Sequence, residues 1–172
     1  MSSRRITDHE TIEKKITRIL KARKMTVTTA ESCTGGLVAG TLINADGVSE
    51  VYKEGFITYS DDAKMKYLGV EEEILKTCGA VSRLTAQQMA IGAAKEAGAD
   101  CAVATTGIAG PDGGSDEKPV GLVYIACFVK GNVVVKRCFF SGDRQAIRYA
   151  AVKEALEILY CQILTTKDIP QE

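Results

Sequence analysis

Residues 25–44 read MTVTTAESCTGGLVAGTLIN, and their order decides the fold. The opening MTVTTA is short and β-branched, as suits a strand. Gly35-Gly36 then supplies a turn, and residues 37–44 (LVAGTLIN) form a mostly apolar run that suits a buried helix. A strand that feeds a glycine turn and then a helix is the repeating unit of an α/β sheet.

Upstream, residues 7–23 have the pattern of an amphipathic helix: Thr7 and Glu10 are spaced as a capping box, and Ile12, Ile16, Ile19 and Leu20 share a face. Downstream, residues 51–60 (VYKEGFITYS) read as a second strand interrupted at Gly55, followed by a charged segment with Glu71, Glu72 and Glu73. Residues 82–98 read as a helix with Ala86, Met89, Ala90, Ala93 and Ala97 as its apolar stripe and Gly98 as its stop. DCAVATTG at 100–107 is then a buried strand. The loop between Gly107 and Gly121 is rich in glycine and proline and too long for an ordinary connection, which suggests a functional one.

Residues 122–129 and 133–140 read as a hairpin joined at Lys130-Gly131-Asn132, antiparallel because the link is so short. A last helix begins near Asp143, turns Ile147, Ala151, Ala155, Ile158 and Leu159 inward, and gives way to a frayed tail at 165–172. Together these elements predict a three-layer α/β/α sandwich around a mixed, mostly parallel sheet of about five strands. The 172 residues fit a single domain, with its core at about 7–164 and no internal repeat.

Composition narrows the function. With 45% hydrophobic and 26% charged residues the chain is an ordinary globular protein. Lys plus Arg equals Asp plus Glu at 22 each, so no global positive field makes nucleic acid or an anionic membrane a default partner. The start is polar, and no apolar run approaches the roughly 18 residues of a membrane span, which reads as cytoplasmic. Cys33, Cys78, Cys101, Cys127, Cys138 and Cys161 form no CxxC pair and read as buried free thiols. The single histidine, His9, falls in the opening turn of the first helix, which removes Ser-His-Asp and multi-histidine metal chemistry.

The most informative segment is AESCTGG at 30–36, where hydroxyl and thiol groups meet a strand end, the usual ligand edge of an open α/β sheet. Free amides there can hold a phosphate or a developing oxyanion, and Ser32 could be a nucleophile. Ser32 or Thr34 could equally cap the helix, and Cys33 reads as buried rather than reactive. A serine nucleophile without histidine needs another base, and a lysine held neutral, such as Lys64 in TYSDDAK, can serve. Lowering a lysine pKa by three units costs about 4 kcal/mol. By pattern alone Lys64 and Lys66 are solvated helix residues and Tyr59 packs at a strand end, so spacing identifies no dyad. Thr105 and Thr106, with the loop GIAGPDGG at 107–114, follow a buried strand and could converge on the same site or form a plain surface turn. SGDR at 141–144 pairs a helix start with Arg144, which suits a phosphate, while Asp143 suits simple capping.

AESCTGG, GFITYSDDAKMKYLGV, TTGIAGPDGGSDEKPVG and SGDR, in this order, resemble the CinA C-terminal domain family, the nicotinamide-nucleotide amidases. The resemblance runs from about Thr7 to Leu164. It implies a three-layer α/β/α fold that hydrolyses the carboxamide of nicotinamide mononucleotide to give nicotinate mononucleotide and ammonia. Many family members lie behind a larger molybdopterin-binding-like domain, and this chain resembles the stand-alone form. Carried over by motif, Ser32 is the nucleophile, Lys64 its base, and Tyr59 a hydrogen-bonding partner that orders the pair. Cys33, Thr34, Gly35, Gly36, Thr105, Thr106, Gly107 and Gly110 are expected around the substrate, with amides near residues 33–36 or the Thr106 loop holding the oxyanion and Arg144 the 5′-phosphate. No metal or cofactor is required, and a homo-oligomer is expected. The family pattern often has Asn where this chain has Asp61 or Asp62, and a carboxylate there opposes neutralising Lys64. Other expectations to weigh are a silent nucleotide-binding module and hydrolysis of another phosphorylated ligand such as ADP-ribose.

Overall fold

Side-chain alternation along the central strands builds two cores, one on each face of a single sheet. The computed structural model describes residues 10–166. Its strands are β1 (Val27–Glu31), β2 (Phe56–Ile57), β3 (Cys101–Gly107), β4 (Leu122–Val129) and β5 (Asn132–Phe139), in spatial order β2-β1-β3-β4-β5. β1 pairs in parallel with β2 and β3, whereas β3–β4 and β4–β5 are antiparallel, so β4 alone runs against the other strands. This is the mixed sheet that the short hairpin link implied.

The helices are α1 (Ile12–Ala22), α2 (Leu37–Leu42), α3 (Asp61–Leu68), α4 (Glu72–Cys78), α5 (Arg83–Glu96) and α6 (Arg144–Thr165). On one face Cys101 and Val103 of β3 pack with Ile16, Leu42, Ile147 and Leu159, which brings α1, α2 and α6 together. On the other face Ala102 and Ala104 meet Leu68, Leu75, Met89 and Ala90 from α3, α4 and α5. Local signals set the helix starts: the side chains of Ser60, Ser82 and Asp143 accept from the amides of Ala63, Thr85 and Ala146 at 3.1, 3.1 and 2.9 Å. The hairpin link is tighter than expected. Lys130 and Gly131 both have positive φ, as in a type I′ turn, and Asn132 already pairs with Val129.

The strand expected over 51–60 shrinks to Phe56–Ile57 and one bridge between Tyr52 and Val27. Between them, side chains replace the ladder: the Thr28 hydroxyl donates to the Glu54 carbonyl at 2.8 Å, and Tyr52 Oη lies 2.9 Å from Thr29 Oγ1. The capping-box residue Thr7 and His9 lie outside the described residues, as does most of the expected tail, 167–172. Within them, Glu10 instead receives two bonds of 3.0 Å from Arg18. All six cysteines are free thiols, but burial holds only for Cys33, Cys101, Cys127 and Cys138. Cys161 is exposed because it falls off the α6 stripe that buries Leu156, Leu159 and Ile163.

α5 crosses α3 so closely that a Cβ on Gly92 would lie 1.9 Å from the Leu68 carbonyl oxygen. Alanine ordinarily favours a helix interior over glycine by about 1 kcal/mol. At Gly92 the steric cost wins, and Gly92→Ala should destabilise the protein by about 1 to 3 kcal/mol. The readout is the urea midpoint, and an unchanged or raised value would mean that α3 can move aside freely.

Candidate active site

The carboxyl ends of the three parallel strands lie along one edge, with α2 leaving β1 on one face and α3 following β2 on the other. A crevice opens where such connections diverge. Adjacent residues at the end of β1 therefore point to opposite layers: Glu31 toward α2, Ser32 toward α3.

Ser32 Oγ lies 3.2 Å from Lys64 Nζ, and that amine donates to the carbonyls of Thr58 at 3.0 Å and Tyr59 at 3.2 Å. Lys64 is 1% exposed, whereas Lys66, two residues on, is exposed. The reading of both as solvated is corrected for Lys64, because α3 lies against the sheet edge on that side. Burial pushes the Lys64 amine below the usual lysine range, against a smaller opposing pull from Asp61 and Cys33. A neutral amine has two N–H donors and one lone pair. The two carbonyls take the donors, and the lone pair is left for the Ser32 hydroxyl. Tyr59 contributes to this arrangement through its carbonyl; its hydroxyl is 3.4 Å from Arg144 Nη2, and its ring is exposed. Burial pushes the neighbouring Cys33 thiol up to about 11, so it stays protonated and a poor nucleophile near neutral pH.

On the other face the Glu31 carboxylate is 0% exposed and takes up the turn expected to hold substrate. It accepts from the amides of Gly36 at 3.0 Å, Val38 at 3.0 Å and Ala39 at 2.8 Å, and from the Thr34 hydroxyl at 2.6 Å. The Thr34 hydroxyl proton goes to Glu31, so Thr105 Oγ1, 2.7 Å away, is the donor of that pair. The hydroxyls of Thr34 and Thr105 and the amides of Gly35 and Gly36 are thus engaged within the protein, and the start of α2 is closed to an anion by a carboxylate already there. The Ser32 amide donates to the Thr105 carbonyl at 3.0 Å and the Gly35 amide to the Ser32 carbonyl at 3.2 Å. Among the described residues, the amides of Cys33 and Thr34 are the ones in this turn that remain for a ligand.

A cavity of about 220 Å³ lies beside Ser32, Cys33, Lys64, Tyr59, Thr106 and Arg144. Its smaller wall is Ala80, Val81, Gly107 and Ala109. Thr106 faces it because β3 alternation sends Thr105 to the other layer, and the Thr106 hydroxyl donates to the Ala80 carbonyl at 2.8 Å. Gly110 lies outside the lining but accepts from Arg144 Nη1 at 2.7 Å, which holds that guanidinium at the mouth. Sequence reasoning missed Glu31 and Arg148. The latter donates from Nε to the Cys33 carbonyl at 3.1 Å and from Nη2 to the Thr34 carbonyl at 2.9 Å. A buried acid inside AESCTGG was a visible signal for Glu31; a contact spanning 115 positions left none for Arg148.

Fold and site together define an α/β protein whose candidate nucleophile is a serine paired with a buried lysine. The chain belongs to the CinA C-terminal domain family, which matches residues 9–163. The crystal structure of the competence/damage inducible protein CihA from Agrobacterium tumefaciens is 47% identical, with a TM-score of 0.85 over 96% of this chain and 100% of that one. A CinA superfamily protein from Klebsiella pneumoniae is 37% identical, with a TM-score of 0.87 over 93% and 100%. The CinA-like protein of Kosmotoga olearia is 50% identical over 87% of this chain, which spans 36% of that relative's length. Among the described residues no helix is long and apolar enough to cross a membrane.

The lowered Lys64 pKa sets a pH dependence. Between that value and the ordinary lysine value near 10.4 the unfolded chain binds one more proton than the folded one, so folding stability rises with pH across this window. Lys64→Met removes the titration. Urea unfolding from pH 7 to 10 should therefore show wild type gaining stability relative to the variant as pH rises, and parallel profiles would assign Lys64 an ordinary pKa.

Proposed function

We propose that this protein is an amidohydrolase that converts nicotinamide mononucleotide to nicotinate mononucleotide and ammonia through a serine-bound acyl intermediate. The observation that carries the reading is Ser32 Oγ at 3.2 Å from the amine of a fully buried Lys64 whose donors have carbonyl partners. The family resemblance supports the choice of substrate.

Ser32 gives its proton to Lys64 Nζ as Oγ bonds to the carboxamide carbon. The substrate's pyridinium withdraws electrons from that carbon and makes an otherwise inert amide reactive. The carbonyl oxygen, now an oxyanion, is received by the amides of Cys33 and Thr34. Lys64 then passes the proton to the departing nitrogen, the C–N bond breaks and ammonia leaves. Water repeats the sequence in reverse: it gives a proton to Lys64, attacks the acyl carbon, and Ser32 recovers its proton as the nicotinate carboxyl is released. Thr106 Oγ1, its own proton committed to Ala80, can only accept, which suits the carboxamide N–H groups. The cavity of about 220 Å³ is smaller than the roughly 300–1,000 Å³ of a site enclosing a whole drug-sized ligand. It holds the reacting end and leaves the ribose phosphate at the mouth, toward Arg144.

Ser32→Ala should abolish ammonia release from nicotinamide mononucleotide while preserving the thermal unfolding midpoint. Lys64→Arg should be nearly as inactive as Lys64→Ala, since arginine keeps the charge but yields no proton at usable pH. Near wild-type release by the serine variant would end the acyl-enzyme reading; substantial activity of the arginine variant would make Lys64 an electrostatic group instead.

Arg144→Ala should lower kcat/KM for the mononucleotide by about tenfold to more than a hundredfold, the loss of a charge-assisted contact of about 1.5 to 3 kcal/mol. Nicotinamide riboside lacks the phosphate, so its turnover should change little. The ratio between the two substrates separates the phosphate contact from general damage, and equal losses for both would remove Arg144 from phosphate binding.

A further inference from the structure

A trans peptide unit points its N–H opposite to its C=O, so whatever holds the carbonyl also aims the amide. In the nucleophile turn the Thr34 amide belongs to the unit whose carbonyl is that of Cys33, and this carbonyl accepts from Arg148 Nε at 3.1 Å. The next carbonyl, that of Thr34, accepts from Arg148 Nη2 at 2.9 Å. The Cys33 amide belongs to the unit whose carbonyl, that of Ser32, accepts from Gly35 within the turn at 3.2 Å. Gly35 lies against the same guanidinium: a Cβ there would come 3.3 Å from Arg148 Nη2.

We infer that Arg148 is a positioning residue that aims the backbone amides of the nucleophile turn at the reacting carbonyl oxygen. The inference rests on the proposed amide hydrolysis. Arg148 touches no reacting atom; it acts from α6, one turn after Arg144. The fork geometry matters because a guanidinium can bind two successive carbonyls in a fixed plane, whereas an ammonium is a point charge that fixes neither plane. The cation also polarises these two peptide units, which strengthens the Thr34 amide directly as a donor; the Gly35 amide of the second unit holds the Ser32 carbonyl and with it the plane of the Cys33 amide. Glu31 anchors the far side of the same turn through Gly36, Val38 and Ala39, so the segment between them has little freedom once Arg148 is engaged.

The test uses Arg148→Met and Arg148→Lys in the full chain, with two readouts. In ammonia release from nicotinamide mononucleotide, Arg148→Met should lower kcat by about 10- to 100-fold, less than the 10²–10³ typical of deleting an oxyanion donor outright. KM should stay within about twofold, and the pH midpoint of kcat should not move, since Lys64 is untouched. Arg148→Lys should recover only part of the loss. In NMR spectra of the ligand-free protein, the amide signals of Cys33 and Thr34 should shift and exchange faster in Arg148→Met, while those of α5 on the opposite face stay in place. A kcat within twofold of wild type, a pH midpoint that moves, or unmoved Cys33 and Thr34 signals would overturn the inference. Absence of ammonia release by wild type would instead end the functional reading, and the amide signals alone would then decide whether Arg148 sets these peptide planes.

Discussion

A single buried carboxylate holds the chemical end of this sheet in shape. Removing Glu31 wholly from water costs several kcal/mol, and it is tolerated because its oxygens accept from three amides and one hydroxyl of the chain that follows. Bonds to charged groups contribute about 1.5 to 3 kcal/mol each, enough together to offset the desolvation. The turn that leads from β1 into α2 is therefore folded around its own strand end. Two consequences follow from that charge. The start of α2 cannot serve an anionic ligand, and the amides still available are confined to Cys33 and Thr34.

Strand alternation lets that anchor coexist with the candidate active site next door. Glu31 and Ser32 are consecutive, yet one faces α2 and the other α3, so the buried Glu31 carboxylate is kept on the opposite side of the sheet from the Lys64 amine, whose pKa burial lowers. Lys64 meets carbonyl oxygens instead of carboxylates, which satisfies its N–H groups without stabilising the ammonium as an ion pair would. Asp61 pulls the other way but is exposed, and burial outweighs it. The close crossing of α3 and α5 at Gly92 keeps the helix that carries Lys64 pressed to the sheet.

α6 completes the arrangement from a third direction. Arg144 and Arg148 are one helical turn apart and divide the work, one held at the cavity mouth by Gly110 and the other joined to the carbonyls of Cys33 and Thr34. Asp143 caps the helix just before them, so an anion at the mouth would meet the arginine side chain more than the helix end.

The amino-acid sequence determined on its own what depends on neighbours along the chain: the strand, glycine turn and helix at 25–44, the serine and aspartate caps, the hairpin link, and the apolar stripes of α5 and α6. The motif order was enough to place Ser32, Lys64 and Arg144 in one family pattern. Strand 51–60 shrank because bonds of the Thr28 hydroxyl to Glu54 and of Tyr52 to Thr29 replace its ladder, and Thr28 and Thr29 lie on β1, outside the segment's own sequence. Alternation in CAVATTG already separates Thr105 from Thr106, but which face holds the cavity depends on where the helices pack. Lys64 and Lys66 make the same point within one short helix. Their sequence contexts are nearly alike, and only the packing of α3 against the sheet buries one amine beside Ser32 and leaves the other in water. Burial and proton affinity are properties of the surroundings in space, and the tertiary structure alone supplies them.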